Sequence, residues 1–164
     1  EVPDLAAATL AALKIVNPLK DRIVSDMKDA MRAKDAVRLE SIRLLRAAIQ
    51  RREVDERVDL NDQDVVSVVQ KMVKQGKDSI ALFEQGGRED LVQKEAATLA
   101  VLETYLPEQL DEEALLILIE KAMSESGAQT VRDMGKVMSL LKPQVQGQAD
   151  MGVVSGLIKQ KLSN

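Results

Sequence analysis

The sequence predicts an all-α protein, with an N-terminal helical bundle over residues 18–107 followed by a small three-helix domain over residues 108–164. Three observations carry this. Apolar residues recur at intervals of three and four along most of the chain, and no alternating run is long enough for a strand. Phe83 and Tyr105 are the whole aromatic content, poor material for a β-sandwich or a base-stacking platform, so the interior must be Leu, Ile, Val, Met and Ala. Capping residues, glycines and prolines fall between the periodic stretches at helix-length intervals, with no tandem repeat.

Residues 1–17 precede the first strong pattern and are expected to be a natural extension or a cloning remnant. Their Ala- and Leu-rich part, 2–16, can form a helix, but it has neither the basic flank nor the cleavage-like site of a signal peptide. Leu19, Ile23, Met27, Ala30 and Met31 mark the first bundle helix, and Lys34-Asp35 a short turn. A second helix turns Leu39, Ile42, Leu45, Ala48 and Ile49 inward and carries Arg38, Arg43, Arg46, Arg51 and Arg52 outside. Asn61 with Asp64 starts a third, whose Val65, Val68, Val69, Met72, Ile80 and Phe83 face the core. Gly76 permits a tight crossing, and Gly86-Gly87 supplies a left-handed cap. The fourth helix is expected over residues 88–106, with Leu91, Leu99, Leu102 and Leu106 inward. Pro107 pushes the residue before it out of helical dihedrals and marks the domain boundary.

In the last domain Asp111 is the cap, with Glu112 and Glu113 at the positive helix end. Leu115, Leu118, Ile119, Ala122 and Met123 form the core face, and Gly127 stops the helix. Thr130 and Asp133 have capping-box spacing, and Val131, Met134, Val137, Met138 and Leu141 form the next apolar face. Pro143 and Gly147 are expected to break that helix. Asp150 then caps a last helix with Val153, Val154, Leu157, Ile158 and Leu162 inward. Gly135 and Gly156 sit inside these helices, each costing about 1 kcal/mol relative to Ala. With Lys136, Lys142, Lys159 and Lys161 they admit two readings. One is tight helix packing, with lysines favouring helix C-termini. The other is a bare glycine and lysines presented to a polyanion such as RNA.

Net charge is −4, so the whole chain is no electrostatic nucleic-acid binder, and any RNA contact needs a local patch. Residues 20–52 hold ten basic and five acidic side chains, whereas residues 53–64 hold six acids against Arg57 alone. The two halves can pair with each other, or the arginine face can meet phosphates through guanidinium forks. Neither cysteine nor histidine is present, which excludes thiol and imidazole catalysis, disulfides and the usual zinc sites. The acids Asp55, Glu56, Asp59, Asp62 and Asp64 lack the calcium-loop pattern and read as a solvated face, so no metal is expected. No serine lies in a nucleophile elbow or amidase-like segment, although a serine–lysine pair stays formally open. No phosphate-cradling loop occurs, and Gly86-Gly87-Arg88 reads as a turn, so no catalytic residue or cofactor is assigned. No apolar run approaches the ~20 residues of a membrane span. The missing cysteines fit a reducing cytoplasm, the expected location.

Three stretches resemble the GatB/YqeY family. One is Met134-Gly-Lys-Val-Met138 with Lys142-Pro143, Gly147, Ala149-Asp150 and the closing Val-Val-x-x-Leu-Ile-Lys pattern. The others are Leu19-Lys-Asp-Arg-Ile-x-x-Asp-Met-Lys-Asp-Ala-Met31 and Tyr105-Leu-Pro-Glu-Gln-Leu110. Together they span residues 18–164 and are similar to the free-standing YqeY-like members. In that family the same helical tail is fused to the B subunit of the tRNA-dependent amidotransferase, which converts mischarged Glu-tRNA or Asp-tRNA to the amide. The resemblance implies a tail that contacts tRNA, or that attaches to a tRNA-processing protein. The candidate contacts are Gly135, Lys136, Lys142, Lys159 and Lys161, with Arg43 and Arg46 adding phosphate contacts. The amidation chemistry, and with it the label of carbon–nitrogen ligase with glutamine as amido donor, belongs to other domains. The competing class is a helical protein–protein module without an RNA role, receiving a partner helix beside Gly135. The sequence assigns no oligomeric state.

Overall fold

Helix starts follow from local chemistry. The first N–H groups of a helix lack carbonyl partners, and a short polar side chain just ahead can accept from them. Asp35 accepts from the Arg38 N–H (3.1 Å), Asp111 from Ala114 (2.7 Å) and Asp150 from Gly152 (2.7 Å). Asn61 and Asp64 each accept from the other's main chain, a reciprocal box. The computed structural model describes residues 18–163, and the helix expected within residues 2–16 lies outside the described residues. The order is α1 (Pro18–Ala33), α2 (Ala36–Glu56), α3 (Asp62–Gln85), α4 (Glu89–Glu103), α5 (Glu112–Ser126), a 3-10 turn (Val131–Asp133), α6 (Met134–Val145) and α7 (Met151–Ser163). Among the described residues there is no strand, so the protein is all-α.

The chain divides into two compact units, the first ending at Tyr105 and the second starting at Leu106. In the first, Ile23 of α1, Ile42 and Leu45 of α2, Val65 and Val69 of α3 and Leu102 of α4 are fully buried. Helices α3 and α4 approach closely at Gly76, where a Cβ would lie 2.4 Å from Leu99 Cδ2 and 2.8 Å from Glu95 Oε1. Leu60, in the loop before α3, is also fully buried, and its N–H donates to Glu53 Oε2 at 3.0 Å. Met31, expected inward, is 51% exposed. The buried line of α1 runs through Ile23 and Ala30, and Met31 stands about 100° off it in the last turn.

Helix α4 stops at Glu103, short of the expected residue 106. Tyr105 leaves the helix to enter the core, and its hydroxyl donates to Asp26 Oδ2 at 2.7 Å. Arg22 Nε (3.8 Å) and Arg38 Nη2 (3.6 Å) flank the same carboxylate. Arg22 also lies over the Tyr105 ring, 4.9 Å from its centre, and donates to the Thr104 carbonyl at 3.0 Å. Burial first, and then the hydrogen bond to Asp26, push the Tyr105 pKa well above its ordinary value.

In the second unit Leu115 and Ile119 of α5, Val137 and Leu141 of α6, and Val154 and Ile158 of α7 share one cluster. The segment leading into it is tied down, because the Leu110 N–H donates to the Gln148 carbonyl (2.9 Å) and Gln109 Nε2 to the Gly147 carbonyl (2.7 Å). Contrary to expectation, Pro143 does not break α6, which runs on to Val145. Pro143 lacks the N–H that would bond the Ser139 carbonyl, and Ser139 is exposed, so water can meet the orphaned carbonyl and the helix continues. The chain turns instead at Gly147, whose φ of +79° suits glycine. Val131 and Val153, expected inward, are 40% and 55% exposed. Val131 belongs to the 3-10 turn and is out of phase with α6. Val153 stands about 100° from the buried line of α7.

Two substitutions separate a packed glycine from an open one. Gly76→Val should destabilise by about 1–3 kcal/mol through overpacking against Leu99. Gly135→Ala, where a Cβ meets nothing within 4 Å, should stabilise by about 0.5–1 kcal/mol. Urea unfolding measures both, and equal effects would mean that α3 and α4 do not approach closely at Gly76. A pH series tests Tyr105. Its pKa is higher folded than unfolded, so the folded state holds the extra proton and stability falls as pH rises past about 10. Tyr105→Phe should flatten that fall, and an unchanged fall would detach the hydroxyl from the network. The second unit has its own core and is expected to fold alone. Circular dichroism of residues 106–164 showing coil would make it dependent on the first.

Candidate nucleic-acid interface

The second unit carries five of the residues singled out from the sequence. On α6, Gly135 and Lys142 are seven positions apart and so share one stripe, about 20° apart, while Lys136 lies about 120° round the helix from Lys142. Gly135 and Gly156 are both exposed, with nothing within 4 Å of their Cβ positions, so neither is a close-packing site. Lys136 lies 3.9 Å from Asp133. That carboxylate is held below its ordinary pKa by the main-chain N–H groups of Gln129 and Thr130, and then by Lys136. Lys142 and Lys159 are exposed and make no ion pair among the described residues. Lys161 is committed elsewhere: it pairs with Glu120 at 2.5 Å, joining α7 to α5. It stands about 160° round α7 from Lys159. The structure therefore aligns Gly135 with Lys142, turns Lys136 aside and separates the two C-terminal lysines.

In the first unit the arginine face of α2 divides in two. Arg38 pairs with Asp26, and Arg52 with Glu56 (3.1 Å) and Asp64 (3.8 Å). Arg43 makes no ion pair among the described residues, and Arg46 reaches only the Met27 sulfur at 3.1 Å, a weak acceptor. These two line an open groove of about 530 Å³ between α1 and α2, together with Lys20, Val24, Ala47 and Gln50. Lys20 is held by Glu53 and Asp59. Burial alone would lower its pKa, but those two carboxylates outweigh burial and raise it. Sequence reasoning found Arg43 and Arg46 but missed the α1 side of the groove. No local signal marked that side, because it depends on the register of α1 against α2.

The other sequence features resolve into structure. Arg88 turns back onto Asp90 at 2.9 Å, so the Gly86-Gly87 turn offers no open cation. The hydroxyls of Ser41, Ser79 and Ser139 donate to carbonyls one turn back. Among the described residues no three acidic side chains converge to hold a metal ion, and no helix is long and apolar enough to cross a membrane.

Fold and surface together define an all-helical protein that carries exposed cations on both units. The chain belongs to the YqeY-like family, whose model, described as "Yqey-like protein", matches residues 20–162. Among curated proteins it is similar to "Altered inheritance of mitochondria protein 41, mitochondrial" of Kluyveromyces lactis, 38% identical over 68% of this chain and 65% of that protein. The protein of that name in Pyrenophora tritici-repentis is 34% identical over 77% of this chain and 72% of its own length. That of Eremothecium gossypii is 38% identical over 49% and 45%. The chain thus spans only part of the relatives it matches. Their mitochondrial names overturn the expectation of a plain cytoplasmic location. Missing cysteines rule out disulfides and thiolate ligands, but they carry no address.

Proposed function

We propose that the chain is a non-catalytic factor that binds RNA, with tRNA as the first candidate, or that works beside a tRNA-processing enzyme. The supporting observation is the contrast between paired and unpaired cations. Arg22, Arg32, Arg38, Arg52 and Arg88 each face a carboxylate. Arg43, Arg46, Lys142 and Lys159 do not among the described residues, and neither do other exposed cations such as Arg51, Lys71, Lys74 and Lys77. What sets Arg43 and Arg46 apart is that they share one groove, and a phosphate backbone can meet them there in a chain of net charge −4. The family's link to the amidotransferase tail favours tRNA as the polyanion. The relatives' names favour a mitochondrial setting.

Fluorescence anisotropy with a tRNA transcript at about 0.15 M salt tests this reading. Arg43→Gln with Arg46→Gln, and separately Lys142→Gln with Lys159→Gln, should weaken binding. Each should also lower the salt slope by about 0.7–0.9 for every phosphate that is no longer neutralised. Lys161→Gln should act on stability instead, through Glu120. Absence of tRNA binding by the parent chain at any salt would reject the RNA reading. It would favour docking of a partner helix beside Gly135.

A further inference from the structure

The α1–α2 groove offers more than charge. Arg43 and Arg46 are three residues apart on α2, a spacing that sets their Cβ atoms about 5–6 Å apart, so both guanidinium forks reach a single phosphate. Ala47 lies one turn beyond Arg43 and is exposed, and with Val24 of α1 it gives the groove an apolar floor. Gln50, a turn further on, carries a donor and an acceptor on one amide, the pair needed to meet a base edge. Glu53 lines the other end of the groove and, with Asp59, neutralises Lys20, so the uncompensated positive charge lies at the arginine side. The volume, about 530 Å³, falls in the range of small-ligand sites, about 300–1,000 Å³.

We infer that this groove holds one unstacked nucleotide, its phosphate on Arg43 and Arg46 and its base against Val24 and Ala47 within reach of Gln50. The inference deepens the RNA reading above. Bare phosphate would leave the apolar floor unused. A carboxylate side chain would satisfy the arginines but offer nothing to Gln50. Phe83 and Tyr105 do not line the groove, so the base has no aromatic platform and rests on the apolar floor of Val24 and Ala47.

The test titrates the full chain with adenosine 5′-monophosphate, ribose 5-phosphate and inorganic phosphate, followed by amide and arginine side-chain NMR shifts. The mononucleotide should shift Arg43, Arg46, Ala47 and Gln50 and bind about tenfold more tightly than inorganic phosphate, since it adds the floor contacts. Arg43→Gln with Arg46→Gln should abolish this binding. Ala47→Leu, at an exposed helix position that tolerates leucine, should abolish it with the fold retained. Equal binding of mononucleotide and phosphate, or binding unaffected by Ala47→Leu, overturns the inference. Binding of tRNA by the parent and undiminished binding by both groove variants overturns it too, while the RNA reading stands. Mononucleotide bound in the groove without any tRNA binding supports the inference and rejects the RNA reading.

Discussion

The hydrogen bond from Tyr105 to Asp26 constrains the first unit more than any other single contact. A phenol hydroxyl taken into a core must find an acceptor, or it forfeits its hydration. Asp26 supplies one from 79 residues away, so the end of α4 is tied to α1. A carboxylate in that position needs cations in turn, and Arg22 and Arg38 provide them. Two arginines of the basic N-terminal region are thereby committed to holding α1, α2 and the chain after α4 together. Arg52 is committed in the same way at the other end of α2, to Glu56 and Asp64. Only the middle of α2, with Arg43 and Arg46, is left to face the groove with its charge uncompensated.

What could be read from the sequence was whatever is encoded within one helix turn. The caps at Asn61, Asp111 and Asp150 depend on residues two or three positions away and formed as their spacing indicates. The tight crossing at Gly76 was also legible, since a glycine inside an apolar face has few other uses. Features set by distant partners were not legible. The early end of α4 depends on Asp26, and the burial of Leu60 depends on Glu53 and the loop before α3. Pro143 misled because the loss of one N–H does not by itself end a helix when the orphaned carbonyl, that of the exposed Ser139, is open to water. At the candidate site, Arg43 and Arg46 followed from the outer face of α2. The groove they line also requires the register of α1 against α2, which neither helix records alone.

The two classes of glycine separate two uses of the same residue. At Gly76 the absent Cβ admits Leu99, and the residue is part of the core. At Gly135 and Gly156 it admits nothing from the described residues. An exposed glycine inside a helix costs about 1 kcal/mol without a packing return. Within the second unit no described residue supplies that return. Lys142 shares the stripe with Gly135 and has no carboxylate partner among the described residues, which gives that stripe a positive and accessible character.

A net charge of −4 sharpens this picture. A strongly basic chain gathers nucleic acid by its overall field, and that attraction is indiscriminate. Here the field of the whole molecule opposes a polyanion, and over distances beyond about 8–10 Å salt screens even that. Attraction is confined to places where acidic residues have been drawn off to other partners. Glu53 and Asp59 are turned to Lys20, Asp26 to Tyr105 and its two arginines, and Asp64 to Arg52 and the cap of α3. The same ion pairs that hold the first unit together strip the Arg43–Arg46 side of its groove of negative charge, so a change made to the structural pairs also changes what the groove can attract.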